Sequence, residues 1–137
     1  MKKIMKIKKL SIALFLLLLI GACTKQEGYG GKSTIYGYVL EKDYNNSGQF
    51  QSEYYKPDQK VFIVFGDNDF YDDEIDTDYT GKYKFSYLYA GKYTLYTYTE
   101  CSPIDPCDSG VKTVLMEVNI SKNGDVEVLE DLVIENW

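Results

Sequence analysis

Three groups of residues in this chain have types and spacings that can do chemistry. The first is D-N-D-F-Y-D-D-E-I-D-T-D (67–78), with seven acids in twelve positions. Carboxylate oxygens at that density can hold Ca²⁺, and Asp67, Asp69, Asp76 and Asp78 are the candidate ligands. The alternative is a solvated acidic loop. An EF-hand reading of D-x-D-x-T-G from Asp76 fails at its twelfth position, where Tyr87 stands in place of the required Glu. The second group is Tyr36, Tyr38, Tyr96 and Tyr98, drawn from fourteen tyrosines. If Ile35, Val39, Tyr93 and Leu95 face inward, period two turns these four outward. There they can stack on sugar rings or anchor a protein. The alternative is cross-strand aromatic pairing that stabilises a sheet. The third group is Cys101 and Cys107, which bracket S-P-I-D-P.

Equally informative is what is missing. The chain has no His, and all fifteen basic residues are Lys. A Ser–His–Asp or Cys–His arrangement is therefore impossible within it, and bidentate Arg clamps for phosphate are absent. No spacing singles out a carboxylate pair for acid–base work. The reading is a non-enzyme without a cofactor. G-G-K-S-T (30–34) is not a phosphate loop, because Gln26 stands where the first Gly is needed.

The N-terminus sets the compartment. Five lysines precede an apolar run from Leu10 to Ile20, followed by Ile20-Gly21-Ala22-Cys23. That run suits a signal sequence and is short for a membrane span. The register of charge, apolar run, small residues and Cys resembles the lipobox of bacterial lipoproteins. It implies cleavage after residue 22 and acyl chains on Cys23 that hold the protein to a membrane. The alternative is an ordinary secretory signal with an incidental Cys. Thr24 in place of Asp implies, by lipoprotein sorting, the outer membrane of the cell envelope. Removing the five leader lysines leaves ten Lys against 21 acids, a net of −11. That sign disfavours nucleic acid. In an oxidising compartment Cys101 and Cys107 are expected to pair, the alternative being two free thiols.

The elements that would position these groups are strands. With 45% hydrophobic and 26% charged residues the chain is globular rather than disordered. Residues 1–22 read as leader, 23–32 as lipidated Cys and flexible tether, and 33–137 as one domain. Strands are expected at 33–40, 60–66, 81–88, 92–100, 111–120 and 125–134, with a short edge strand near Tyr71–Ile75. Residues 41–59 read as an exposed loop, and S-K-N-G as a hairpin turn between the last two strands. The fold class is an all-β, about seven-stranded antiparallel sandwich.

T-D-Y-T-G-K-Y-K-F-S-Y-L-Y-A-G-K-Y-T-L (77–95) resembles the signature of transthyretin-like domains, which include carboxypeptidase regulatory-like domains and B-type adhesin repeats. The matching positions are Thr77, Asp78, Gly81, Tyr83, Phe85, Leu88, Gly91, Tyr93 and Leu95, with Ile35, Gly37 and Val39 before them. The resemblance implies a Greek-key sandwich, and Tyr83, Phe85, Tyr93 and Leu95, which fall on one face at period two, are expected in its core. Such domains serve as stalks, spacers, adhesin modules and ligand-binding pieces, so the fold does not name a task. Some adhesin repeats carry a Lys–Asn isopeptide bond helped by an acid. Lys32, Asn136 and Glu100 are the counterparts here, without the family's surrounding motif. Two functions follow. One is a membrane-tethered, non-catalytic binding or adhesion module for a glycan or protein ligand. The other is a structural accessory subunit packed on a larger envelope complex, which an uncovered Phe62–Val64 stripe would favour.

Overall fold

The computed structural model describes residues 26–137, so the leader and Cys23 lie outside the described residues. Nine strands follow: β1 (Tyr29–Tyr44), β2 (Phe50–Tyr55), β3 (Lys60–Phe65), β4 (Asp73–Asp76), β5 (Lys82–Leu88), β6 (Gly91–Glu100), β7 (Val111–Ile120), β8 (Val126–Val128) and β9 (Leu132–Asn136). Among the described residues there is no helix. Sheet one is built around β1, which pairs antiparallel with β5 and β2 and parallel with β8 and β9. Sheet two runs β4-β3-β6-β7, all antiparallel.

The sandwich follows from period two. Ile35 and Val39 of β1 are fully buried, as are Val61 and Ile63 of β3 and Tyr93 and Leu95 of β6. Tyr83, Phe85 and Leu88 of β5 and Leu132 and Ile134 of β9 complete the core. Each such side chain contributes about 1.5–3 kcal/mol by leaving water. Glu41 breaks the apolar alternation of β1 while still 5% exposed. Its charge is met by Lys56 at 2.8 Å and by the Tyr54 hydroxyl. The S–S bond between Cys101 and Cys107 is formed, closing the loop between β6 and β7.

Several expectations are corrected. β1 begins at Tyr29, so residues 29–32 belong to the sheet and not to the tether. Aromatic pinning hidden by the Gly-rich composition is the cause. The Tyr29 ring meets Phe65 edge-on at 5.3 Å, and the Gly28 N–H donates to the Tyr93 hydroxyl at 3.1 Å. The 41–59 loop is a hairpin instead: β1 runs to Tyr44, β2 returns, and Asn45 Oδ1 accepts from the Ser47 and Gln49 N–H groups. Every residue of β2 is exposed, which is why its sequence reads as a loop. S-K-N-G makes no hairpin. β7 lies in sheet two and β8 in sheet one. The buried Ser33 hydroxyl accepts from the Gly124 N–H at 2.8 Å and draws this turn across to β1. The expected 125–134 strand divides into β8 and β9, and both run parallel to β1.

β1 and β5 approach each other closely at Gly37. It sits opposite Tyr83, and a Cβ there would lie 2.4 Å from the Tyr83 hydroxyl oxygen. That hydroxyl is buried and has no hydrogen-bond partner among the described residues. Gly37→Ala is expected to destabilise the fold by about 1–3 kcal/mol through overpacking. Tyr83→Phe alone is expected to cost nothing, because a buried unpaired group is removed, and to recover part of the Gly37→Ala loss. Thermal melts of the two single variants and the double variant check this; strict additivity would contradict it.

A candidate aromatic platform on the outer face of sheet two

The continuous apolar run of β3 now has an explanation. Val61 and Ile63 enter the core, while Phe62 and Val64 point to the outer face and are half-buried. What covers them is aromatic. Register places Phe62 opposite Tyr96 and Val64 opposite Thr94. On the other side Tyr96 faces Leu115 and Tyr98 faces Thr113. The Phe62 and Tyr96 rings stack at 4.9 Å and 15°. Tyr98 meets Phe62 edge-on at 5.7 Å and Tyr96 at 5.8 Å. Tyr71, from the loop before β4, closes on Phe62 at 4.9 Å. Offset and edge-to-face pairs of this kind add about 0.5–1.5 kcal/mol each beyond area burial.

Beside this cluster is a shallow depression of about 250 Å³. Tyr71, Tyr96 and Tyr98 line it with Asp69, Thr94 and Thr113, and Val64 and Leu115 supply aliphatic surface. Tyr98 is 46% and Tyr71 49% exposed, so both present ring surface to solvent. Burial, then the neighbouring Tyr98, Tyr71 and Glu74, hold the Tyr96 phenol above its ordinary value. It stays neutral and able to donate near pH 7. The loop carrying Tyr71 and Asp69 is itself fixed, because the Asp72 carboxylate accepts from the Phe65 N–H at 2.7 Å and from Asn68 Nδ2 at 2.9 Å. Flat ring faces, hydroxyls and one carboxylate around a groove can stack and hydrogen-bond a polar ring. A second depression of similar volume at Lys92, Glu117, Val118 and Asn119 lacks aromatic surface. Its lysine is already paired with Asp67 at 3.1 Å.

The four tyrosines singled out in the sequence fall on two faces. Tyr96 and Tyr98 line the depression. Tyr36 and Tyr38 stand on the outer face of sheet one, where Lys82 Nζ lies 4.0 Å from the Tyr36 ring centre and Tyr38 packs on Tyr55 at 5.2 Å. The acidic candidates are dispersed as well. Asp67 pairs with Lys92, Asp76 with Lys60, Asp69 is at the depression, and Asp78 closes a turn. Among the described residues no group of three or more His, Cys, Asp or Glu is arranged to hold a metal ion. The isopeptide counterparts do not meet: Asn136 Nδ2 donates to Asp43 and Glu100 accepts from the Trp137 N–H, while Lys32 lies eleven positions from Asp43 along β1. Sequence reasoning missed Tyr71 and Leu115. A tyrosine inside an acidic run, and a leucine out of phase with Val114 and Met116, were the available signals.

No protein-family model and no curated protein matches the chain. A solved structure from Pseudomonas aeruginosa, a "putative carbohydrate binding protein", is similar at 19% identity with a TM-score of 0.46, covering 84% of this chain and 93% of that one.

Asp78 carries the turn that leads from the acidic loop into β5. Its Oδ1 accepts from the Thr80 N–H, the Thr80 hydroxyl and the Lys82 N–H at 2.8, 2.6 and 3.1 Å. The Thr80 bonds are the first cause that holds the carboxyl below its ordinary value, with Lys82 adding to it. A depressed folded-state value means stability that is present above the unfolded value near 4 and lost as pH falls through the lower folded one. The melting temperature is therefore expected to fall as pH drops below about 4. Asp78→Asn is expected to lower it at neutral pH and to flatten that acid dependence; an unchanged pH profile in this variant would contradict the assignment.

Proposed function

We propose that this chain is a non-catalytic carbohydrate-binding module, held in the cell envelope by lipid on Cys23 and sorted to the outer membrane. The observation that carries the reading is the depression on sheet two where Tyr71, Tyr96 and Tyr98 meet Asp69. Sugar rings offer apolar C–H faces to aromatic rings and hydroxyls to a carboxylate or threonine. Rigid tyrosines supply contact area at low entropic cost. One carboxylate lines the depression, whereas glycoside hydrolysis ordinarily uses two, which supports binding without turnover. The same carboxylate, in an acidic chain, disfavours sugars bearing acid groups, so the ligand is a neutral or amino-bearing oligosaccharide. A transthyretin-like scaffold fits this reading: Asp78 and Gly81 occupy a turn and Tyr83, Phe85, Leu88, Tyr93 and Leu95 the core.

A structural accessory role is the second reading. It is favoured by Val126, Val128 and Val133, which are 61%, 60% and 38% exposed on sheet one. Co-purification of a partner that is lost on Val128→Asp would support it.

Titration calorimetry with neutral and amino-bearing oligosaccharides tests the first reading. Tyr98→Ala is expected to weaken binding at least about tenfold with stability little changed, and Tyr96→Ala to weaken it as much while lowering the melting temperature of the folded protein, because Phe62 loses its stacked cover. Tyr36→Ala, on the opposite sheet, is expected to leave affinity unchanged. Equal losses at Tyr36 and Tyr98, or no binding by any neutral or amino-bearing oligosaccharide, would refute the site.

A further inference from the structure

Sheet two has two edges, and they differ in a way that bears on assembly. The β4 edge carries Asp73, Glu74 and Asp76, an acidic strip that repels another copy of itself. The β7 edge is ten residues long, contains no proline, and its charges are one Lys112 and one Glu117. Among the described residues no strand pairs with its outer side.

Hydrogen-bond parity identifies the groups that this edge offers. The Cys101 N–H donates to the Gly110 carbonyl, so even-numbered residues of β7 bond to β6. The Gly66 N–H donates to the Lys92 carbonyl, which confirms that even-numbered residues of β6 turn toward β3 instead. Thr113, Leu115 and Glu117 therefore direct their backbone N–H and C=O groups outward from the sheet. The pairing ends near Val111, whose carbonyl is already taken by the Ser109 hydroxyl at 2.7 Å.

From this edge we infer that two copies of the chain pair through β7, antiparallel and centred on Leu115. Leu115 then lies opposite Leu115 of the second copy, and Thr113 opposite Glu117, all as hydrogen-bonded pairs. On the inner face Val114 lies opposite Met116, and the Lys112 stem lies against Val118. No like charges oppose. Leu115, 59% exposed in the single chain, becomes covered, as does the incompletely buried row of Val114, Met116 and Val118. The two-fold axis stands perpendicular to the sheet, so both aromatic depressions face the same side. Because Thr113 and Leu115 line each depression, the second copy adds its own Leu115 and Glu117 to the open border. The result is one eight-stranded sheet with two adjoining platforms, a surface suited to an extended chain rather than a single ring. The pairing itself does not depend on what the depression binds.

Cysteine cross-linking of the full chain in the membranes of the producing cell tests this. Cys101 and Cys107 are already paired. Across a hydrogen-bonded antiparallel pair the Cα atoms are about 5.5 Å apart, within disulfide range. Leu115→Cys is expected to give a covalent dimer under mild oxidation, at least several-fold above Asn119→Cys. In this register Asn119 lies eight positions from its own copy, about 27 Å away. A double variant, Thr113→Cys with Glu117→Cys, is expected to cross-link as well. Equal yields from Leu115→Cys and Asn119→Cys, or none from Leu115→Cys in protein whose thermal melt is native, would overturn the proposal whether or not the depression binds sugar.

Discussion

The structure depends on one strand whose two edges are both fully used. β1 pairs with four other strands, two on each side. Val39 is the handover on one edge: its N–H donates to the Gly81 carbonyl, and its carbonyl accepts from the Lys56 N–H. The same residue thus joins the end of β2 to the start of β5. On the other edge Thr34 and Tyr36 bond to Asp125 and Leu129, setting the parallel β8. A one-residue slip of β1 would reverse every side chain on it and unpair all four neighbours. The alternation Ile35, Gly37, Val39 against Tyr36, Tyr38, Leu40 is therefore a constraint on the whole domain.

The alternation is also why part of the fold is legible in the sequence. Tyr83, Phe85, Tyr93 and Leu95 read as core at period two, and they are core because each strand has one buried face. Legibility fails where a residue pairs without burying. β2 has no buried side chain, so nothing in F-Q-S-E-Y-Y distinguishes a strand held by backbone hydrogen bonds and exposed side-chain contacts from a polar loop. It fails again at 121–125. S-K-N-G has the composition of a hairpin turn, and the direction taken there is decided by Ser33, about ninety residues earlier in the chain. Local turn chemistry is real there, since the Lys122 N–H does bond the Asp125 carboxylate. Which sheet receives the next strand is a long-range choice.

The candidate site shows the same division. That Tyr96 and Tyr98 point outward follows from Tyr93 and Leu95 pointing inward. That Tyr36 and Tyr38 point outward from a different sheet cannot be read from periodicity, which gives the face of a strand but not the sheet to which the strand belongs. Tyr71 is further from reach, because it is placed by a loop held through Asp72. The acidic run looked like a potential cation site because seven carboxylates are close in sequence. In space they do not converge on one point: Lys60 takes Glu74 and Asp76, Lys92 takes Asp67, and Asp73 points to the face opposite Glu74.

A cluster of aromatic rings on a sheet can exist for stability alone, and the arrangement allows that possibility to be weighed. Covering Phe62 is a stabilising task, and the parallel Tyr96 ring, stacked across the strand pair, largely accomplishes it. Tyr71 and Tyr98 approach Phe62 only by their edges and keep about half their surface in water. Recruiting Tyr71 also requires an irregular segment to be ordered, at a conformational cost of roughly 1–2 kcal/mol per residue, comparable to the gain from one edge-to-face contact. The Asp72 carboxylate, with its bonds to Phe65 and Asn68, offsets that cost. What this ordering produces is a second wall for the depression, with Asp69 carried beside it. A loop fixed in this way before any ligand arrives loses little freedom on binding. Stability is thus centred on Phe62 and Tyr96, and the residues left over are those whose geometry serves a ligand better than it serves the sheet.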